Sequence, residues 1–239
     1  MLRLGHGIGA YDLDGRLVGT ALWWAYGRAT AACGMILVDP LMQRRGLGTQ
    51  LMEALLAGVG DRRLLLYSTE AGRGLYAAYG FREIGRARQF QGKCRGPIAS
   101  PRVREARATD QAFICDHDAL AFGAPRTRLM SGLLANGTAF VIETAGRLSG
   151  FAIRRRFGRG DLIGPVVAAS EQDGMELVAA SLAVGFNRID VAHDAPHVSS
   201  ALLWLGMTDA GGVVAMVRGD WPPVSHDVCR FAVASQAFG

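Results

Sequence analysis

The stretch "VDPLMQRRGLGTQLMEALL", Val38 to Leu56, sets a glycine-rich basic turn between the end of an apolar run and the start of a helical pattern. Pro40 stops the run "AACGMILVDP", which reads as a buried strand. After the turn, Leu47, Leu51 and Leu55 recur at helical spacing with Met52 and Leu56 beside them. A turn joining a strand to a helix in this way aims several backbone N–H groups at one point. The positive end of the helix dipole adds to their effect, so the turn is an anion site. Gly46 and Gly48 free the backbone for φ > 0 or for close contact with a phosphate, and Arg44 and Arg45 supply charge-assisted hydrogen bonds. No Gly-Lys-Ser/Thr follows, so the turn is not a P-loop. Its spacing is also wrong for the GxGxxG dinucleotide turn.

Working outward, "GAYDLDGRLVGTALWWAYG" reads as a hairpin about Asp14-Gly15. "GHGIG", Gly5 to Gly9, precedes it as loop or strand edge. Downstream, "RRLLLYST" fits a central strand and "GLYAAYG" a short helix capped by Gly80. Strand, helix, strand, helix is an α/β pattern with a parallel pair at its centre.

The pattern then repeats. Gly15-Arg16-Leu17 falls on Gly146-Arg147-Leu148, and "SALLWLGMTDAG" matches "GLYAAYGFREIG" with Gly80 on Gly206 and Gly85 on Gly211. Two copies of one fold are expected. "QGKCRGPIASPR" carries no periodicity and makes the natural linker, dividing the chain into 1–95, a linker at 96–102, and 103–239 with a C-terminal tail. The second copy has two additional helices before its hairpin, "TDQAFICDHDALAF" and "RTRLMSGLLANG"; the first has only Met1 to Gly9 there. Either those elements are lost from the first copy or the chain starts downstream of the natural start.

Two segments together resemble the Gcn5-related N-acetyltransferases (GNAT). "VDPLMQRRGLGTQLMEALL" is similar to that family's motif A, and "LYAAYGFREIG" to its LYxxxGF segment, in family order with a strand between. The resemblance covers Gly9 to Gln91 and extends in degenerate form to Val103 to Asp220. It implies two GNAT-like domains, each a central mixed α+β sheet flanked by helices. It also implies acetyl-CoA as cosubstrate, lying where two parallel strands splay apart. The pantetheine would pair with Ile36, Leu37 and Val38, and a backbone N–H near Leu37 or Val38 would polarise the thioester carbonyl. Gln43, Arg44, Arg45, Gly46, Leu47, Gly48 and Thr49 would hold the pyrophosphate, with Thr69 as a peripheral contact. Tyr76 matches the tyrosine that protonates the departing thiolate. The implied activity is acetyl transfer by direct attack of a primary amine on a small molecule or peptide. The rival is a non-catalytic acyl-CoA sensor.

The usual glutamate base is absent from "CGMILVD"; Asp39 and Glu70 remain as candidates acting through water. In the second copy "EQDGME", Glu171 to Glu176, replaces QRRGLG, and Leu202 stands at the tyrosine position. Carboxylates facing a pyrophosphate repel it, so this copy reads as structural or acceptor-shaping. "HDAPH", His193 to His197, reads as a loop without metal.

Composition agrees with a globular chain, at 50% apolar and 20% charged residues. The four cysteines form no CxxC pair, which argues against a zinc cage or disulfide framework. The net charge of +5 leaves nucleic acid open, but the arginines are scattered, with no stripe of basic and aromatic residues. No run of 18 apolar residues and no signal segment is present, so a soluble cytoplasmic protein without membrane partners is expected. Oligomeric state and acceptor identity carry no signal.

Overall fold

The computed structural model describes residues 4–192 and 195–239. In the first part of the chain, β1 (His6–Tyr11), β2 (Leu17–Tyr26) and β3 (Thr30–Val38) lead into α1 (Leu47–Val59), β4 (Arg63–Ser68), α2 (Arg73–Ala78) and β5 (Arg82–Cys94). The remainder runs β6 (Val103–Glu105), α3 (Gln111–Phe122), α4 (Thr127–Ala135), β7 (Gly137–Thr144), β8 (Arg147–Phe157), β9 (Gly160–Ala168), α5 (Glu171–Ser181), β10 (Gly185–Ala192), α6 (Pro196–Trp204), β11 (Thr208–Arg218) and β12 (Cys229–Ala232). The expected mixed α/β architecture is present, with every sheet strand and helix of the repeat in place. Of the HDAPH stretch, His193 and Asp194 lie outside the described residues, and Pro196 begins α6.

Two compact units do not follow chain order. The first holds Met1–Ile84, Val214–Trp221 and Gln236–Gly239; the second holds Gly85–Val213 and Pro222–Ser235. The linker placed at 96–102 therefore runs inside the second unit, and the tail is shared between the two. Strand pairing is the reason. The end of β11 pairs with β4 from Val214↔Ser68 to Arg218↔Leu64, whereas β5 pairs with β10 from Cys94↔Gly185 to Ala87↔Ala192. Backbone hydrogen bonds left open at a sheet edge are satisfied by whichever strand the fold brings alongside, however distant in sequence.

In the first unit β1, β2 and β3 are antiparallel, β3 and β4 parallel, and β4 and β11 antiparallel. The hairpin turn closes as read, with Gly15 left-handed at φ 77 and its N–H bonded to Asp12 O at 3.0 Å. "GHGIG" becomes β1, a strand at the sheet edge. Helix α1 buries Leu51, Met52, Leu55 and Val59 against Ala21, Trp23, Cys33, Leu64 and Leu66. Those four side chains contribute about 6–12 kcal/mol at the usual value for full burial.

In the second unit β6 to β9 form an antiparallel run, and β10 lies parallel to β9. Its core gathers Phe90, Phe140, Ile142, Ile163, Leu177, Ile189 and Phe231. It also encloses an Asp118–Arg126 ion pair at 2.7 Å, with both side chains at most 1% exposed.

Candidate active site

Strands β3 and β4 pair only over Thr30↔Arg63, Ala31↔Leu64 and Ala32↔Leu65, then part. A bulge causes the divergence. The β2–β3 register shifts between Thr20 and Leu22, and Met35 sits at φ 53 with its carbonyl accepting from Thr20 Oγ1 at 2.8 Å. An extra residue bends the strand that carries it, so Ile36, Leu37 and Val38 lie beyond the paired stretch of β3 and β4, where the two strands have separated.

At the end of β3, Asp39 Oδ1 accepts from Leu41 N at 2.9 Å and caps a short 3₁₀ turn over Pro40–Met42. Gln43 Nε2 then donates to Val38 O at 3.2 Å, tying the turn back to the strand. Arg44 at φ 60 and Gly46 at φ 82 are both left-handed, which curls the backbone into a nest at the start of α1. No side chain caps that helix, and no acidic residue stands in its first turn. The first helical hydrogen bond runs from Gln50 N to Gly46 O at 3.0 Å, so the N–H groups of Leu47, Gly48 and Thr49 have no intrahelical partners.

The two glycines serve different ends. Gly46 needs its left-handed φ, and a Cβ there would meet nothing within 4 Å. Gly48 has ordinary helical geometry, and its Cβ would rest 3.6 Å from Leu75 Cδ2. Arg44 and Arg45 are both exposed beside this opening. Unpaired donors, two free-standing guanidinium groups, no competing acid and open space together fit a pyrophosphate.

Tyr76, on α2, is 9% exposed and packs with Cys33, Leu64, Leu66 and Phe81, its ring edge-on to Phe81 at 6.0 Å. Burial, with a smaller contribution from nearby Cys33, pushes its phenol up to about 12. Full burial likewise drives the Cys33 thiol up to about 12, so Cys33 stays protonated as a core residue. Thr69 is exposed at the end of β4, and its carbonyl accepts from Gly72 N at 3.0 Å. Phe81 is core, as expected, at 4% exposed. Tyr79 is half-buried and reaches α1 instead, with its hydroxyl 3.4 Å from both Thr49 O and Glu53 Oε1.

Both candidate bases are engaged elsewhere. Asp39 Oδ2 lies 3.3 Å from Arg16 Nη2, and Glu70 pairs with Arg73 at 2.8 Å. The arginines that hold them come from the hairpin and from α2, and spacing alone did not predict either pairing.

The equivalent place in the second unit is filled. Parallel pairing of β9 and β10 is confined to Asn187↔Asp161 through Ile189↔Ile163, after which β12 pairs with both strands. Phe231 of β12 lies against α5, so a Cβ on Gly174, the residue matching Gly46, would stand 2.6 Å from its ring. Ser170 caps α5 by accepting from Asp173 N at 3.2 Å, and Arg102 pairs with Asp173 at 2.8 Å and Glu176 at 2.5 Å. Leu202, at the position of Tyr76, is fully buried. The acids that replace the basic turn thus have a structural task. Sequence reading missed β12 because four residues, "CRFA", are too few to show a period.

Among the described residues no group of three His, Cys, Asp or Glu side chains could hold a metal, and no helix is long and apolar enough to cross a membrane.

Comparison with known proteins agrees with this architecture. Family models described as acetyltransferase (GNAT) domains match residues 5–83 and 114–228. An uncharacterized N-acetyltransferase of Bacillus subtilis, YitH, is 23% identical over 248 residues, covering all of this chain and 87% of that protein. A crystal structure of a proposed acetyltransferase from Pyrococcus horikoshii superposes with a TM-score of 0.78 at 21% identity, covering 95% of this chain and 78% of the other. A tandem GNAT protein from the clavulanic acid biosynthesis pathway gives 0.58 at 16% identity, covering 93% and 85%. With two GNAT domain matches in chain order over strands that part as the fold requires, the chain belongs to the GNAT acetyltransferase family, as a tandem acyltransferase.

Proposed function

We propose that the first unit transfers the acetyl group of acetyl-CoA to a primary amine, by direct attack and without a covalent enzyme intermediate. The observation that carries this reading is the uncapped start of α1, with left-handed Arg44 and Gly46, at the mouth of the cleft between β3 and β4. Bound there, acetyl-CoA supplies an activated thioester. The N–H groups of Leu47, Gly48 and Thr49 bind the pyrophosphate, Gln43 shapes the loop, and Arg44 and Arg45 neutralise charge. Ile36, Leu37 and Val38 offer backbone groups to the pantetheine, and Thr69 makes an outer contact. A main-chain N–H at Leu37 or Val38 stabilises charge on the attacked carbonyl oxygen, a role typically worth about 2.7–4 kcal/mol.

Tyr76 faces the leaving group. With its phenol up at about 12, it is fully protonated at neutral pH. Complete proton transfer to a thiolate of ordinary pKa, about 8.5, runs uphill by roughly 5 kcal/mol. Its contribution is therefore a hydrogen bond that stabilises the departing sulfur, and the net proton comes from the amine. With Asp39 and Glu70 both in ion pairs, the amine enters already neutral, drawn from its own solution equilibrium.

The test is release of free CoA from acetyl-CoA in the presence of an amine panel. Tyr76→Phe should slow release by about 10²-fold, as for loss of a hydrogen bond of about 1.5–3 kcal/mol to a charged sulfur, while the acetyl-CoA-induced rise in Tm persists. An unchanged rate removes Tyr76 from the mechanism.

A further inference from the structure

We infer, building on the acetyl-CoA reading above, that the acceptor carries its amine on an apolar body, aromatic or long aliphatic, and that the sheet face opposite α1 in the first unit receives it. Helix α1 lies on the Gly19 face of β2, because a Cβ on Gly19 would stand 3.0 Å from Leu51 Cδ1. That face of the sheet is packed with Leu51, Met52, Leu55 and Tyr76. The amine must arrive from the other face.

Residues paired across antiparallel strands share a face, so Thr20, which alternates with Gly19, points away from α1 together with its partners Gly9 and Leu37. Tyr11 and Leu17 fold over this row: a Cβ on Gly9 would meet them at 3.0 and 3.1 Å. The neighbouring row, Leu22 and Gly34, is covered by Ala237, whose Cα lies 3.3 Å from the Gly34 Cβ position. The segment around Ala237 is pinned there. Tyr26 donates to Phe238 O at 2.7 Å, and Phe238 meets Trp24 edge-on. The open row is therefore the route to the carbonyl.

Along it, three large apolar side chains stand in water: Tyr11 at 66%, Leu17 at 50% and Leu37 at 57% exposure. Arg16 bridges Asp12 and Asp39, and Asp14 is exposed at the tip of the turn. The chain as a whole carries +5. Apolar burial against Tyr11, Leu17 and Leu37 selects amines whose body is apolar.

The experiment measures CoA release with phenethylamine, tryptamine and hexylamine, with the dipeptide Leu-Phe to represent a peptide N-terminus, and with spermidine and kanamycin. The expected result is kcat/KM at least tenfold higher for the apolar amines or the dipeptide than for the polycations; the better of these two arms identifies the source. The double substitution Tyr11→Ser, Leu17→Ser should raise KM for the preferred acceptor about tenfold while the acetyl-CoA-induced rise in Tm keeps its size. Preference for a polycation overturns the inference, as does an unchanged KM in the variant. So does failure of every apolar acceptor with a protein that still responds to acetyl-CoA. Loss of that response in the parent protein would instead refute the cofactor reading.

Discussion

The two glycines of the turn can be separated by alanine substitution, because the structure assigns them opposite effects on stability and the same effect on the ligand. Gly46→Ala leaves open space around the new Cβ but forces an L-residue to φ 82. That conformation costs roughly 1–2 kcal/mol, which in a chain of this size lowers Tm by about 2–8 °C. Gly48→Ala sits at helical geometry with its Cβ in ordinary contact with Leu75 at 3.6 Å. Removing a helical glycine gains about 0.5–1 kcal/mol, so Tm should rise by about 1–4 °C. The Gly48 methyl group leans toward the N-terminus of α1, as helical Cβ atoms do, and the Gly46 methyl group stands in open space beside the same N–H groups, so both lie in the approach of a phosphate. If each loosens acetyl-CoA tenfold, a stabilisation of about 2.7 kcal/mol at a hundredfold excess over Kd falls to about half. The assay is thermal unfolding of parent and variants with and without saturating acetyl-CoA, with isothermal titration for Kd. A Gly48→Ala protein that keeps the full ligand-induced shift would show that the anion does not sit at the start of α1. An undiminished Tm in Gly46→Ala would contradict its left-handed backbone.

Further predictions follow from the same geometry. Because Asp39 and Glu70 are held by arginines, kcat/KM should climb with pH in proportion to the free amine up to the acceptor's own pKa. With Tyr76 protonated to about 12, no falling limb should appear below about pH 11; a bell centred near neutrality would require an enzyme base. Titration should find one acyl-CoA per chain, since β12 fills the second cleft. Gly174→Ala, forced against Phe231 at 2.6 Å, should cost about 1–3 kcal/mol without changing that stoichiometry, and a second binding event would refute the plug. Hydrogen bonding from Arg102, ahead of that from Gln172, holds the Glu176 carboxyl down at about 2. Its folded value is depressed, so the pair stabilises the fold above the usual carboxylate range and is lost as pH falls from about 5 toward 2. Arg102→Gln should therefore move the acid-unfolding midpoint upward.

The parts of this protein readable from sequence are those written in contiguous residues. Turn chemistry at Asp14-Gly15 and Gly80, helical spacing from Leu47 to Leu55 and the QRRGLG turn each depend on neighbours within a few positions. Local steric and hydrogen-bonding rules decide such elements before any tertiary contact forms. The repeat was legible for the same reason, and so was the loss of basic residues from its second copy. Tertiary structure alone decided where the cleft opens, because the bulge at Met35 depends on its register with Thr20. It placed Val214–Trp221 and Gln236–Gly239 in the first unit and put β12 into the second cleft. It tied Asp39 to Arg16 and Glu70 to Arg73, and it buried Tyr76 deeply enough to raise its phenol. Each of these rests on a partner that a local pattern does not encode, or on desolvation, which exists only once the core has closed around the group.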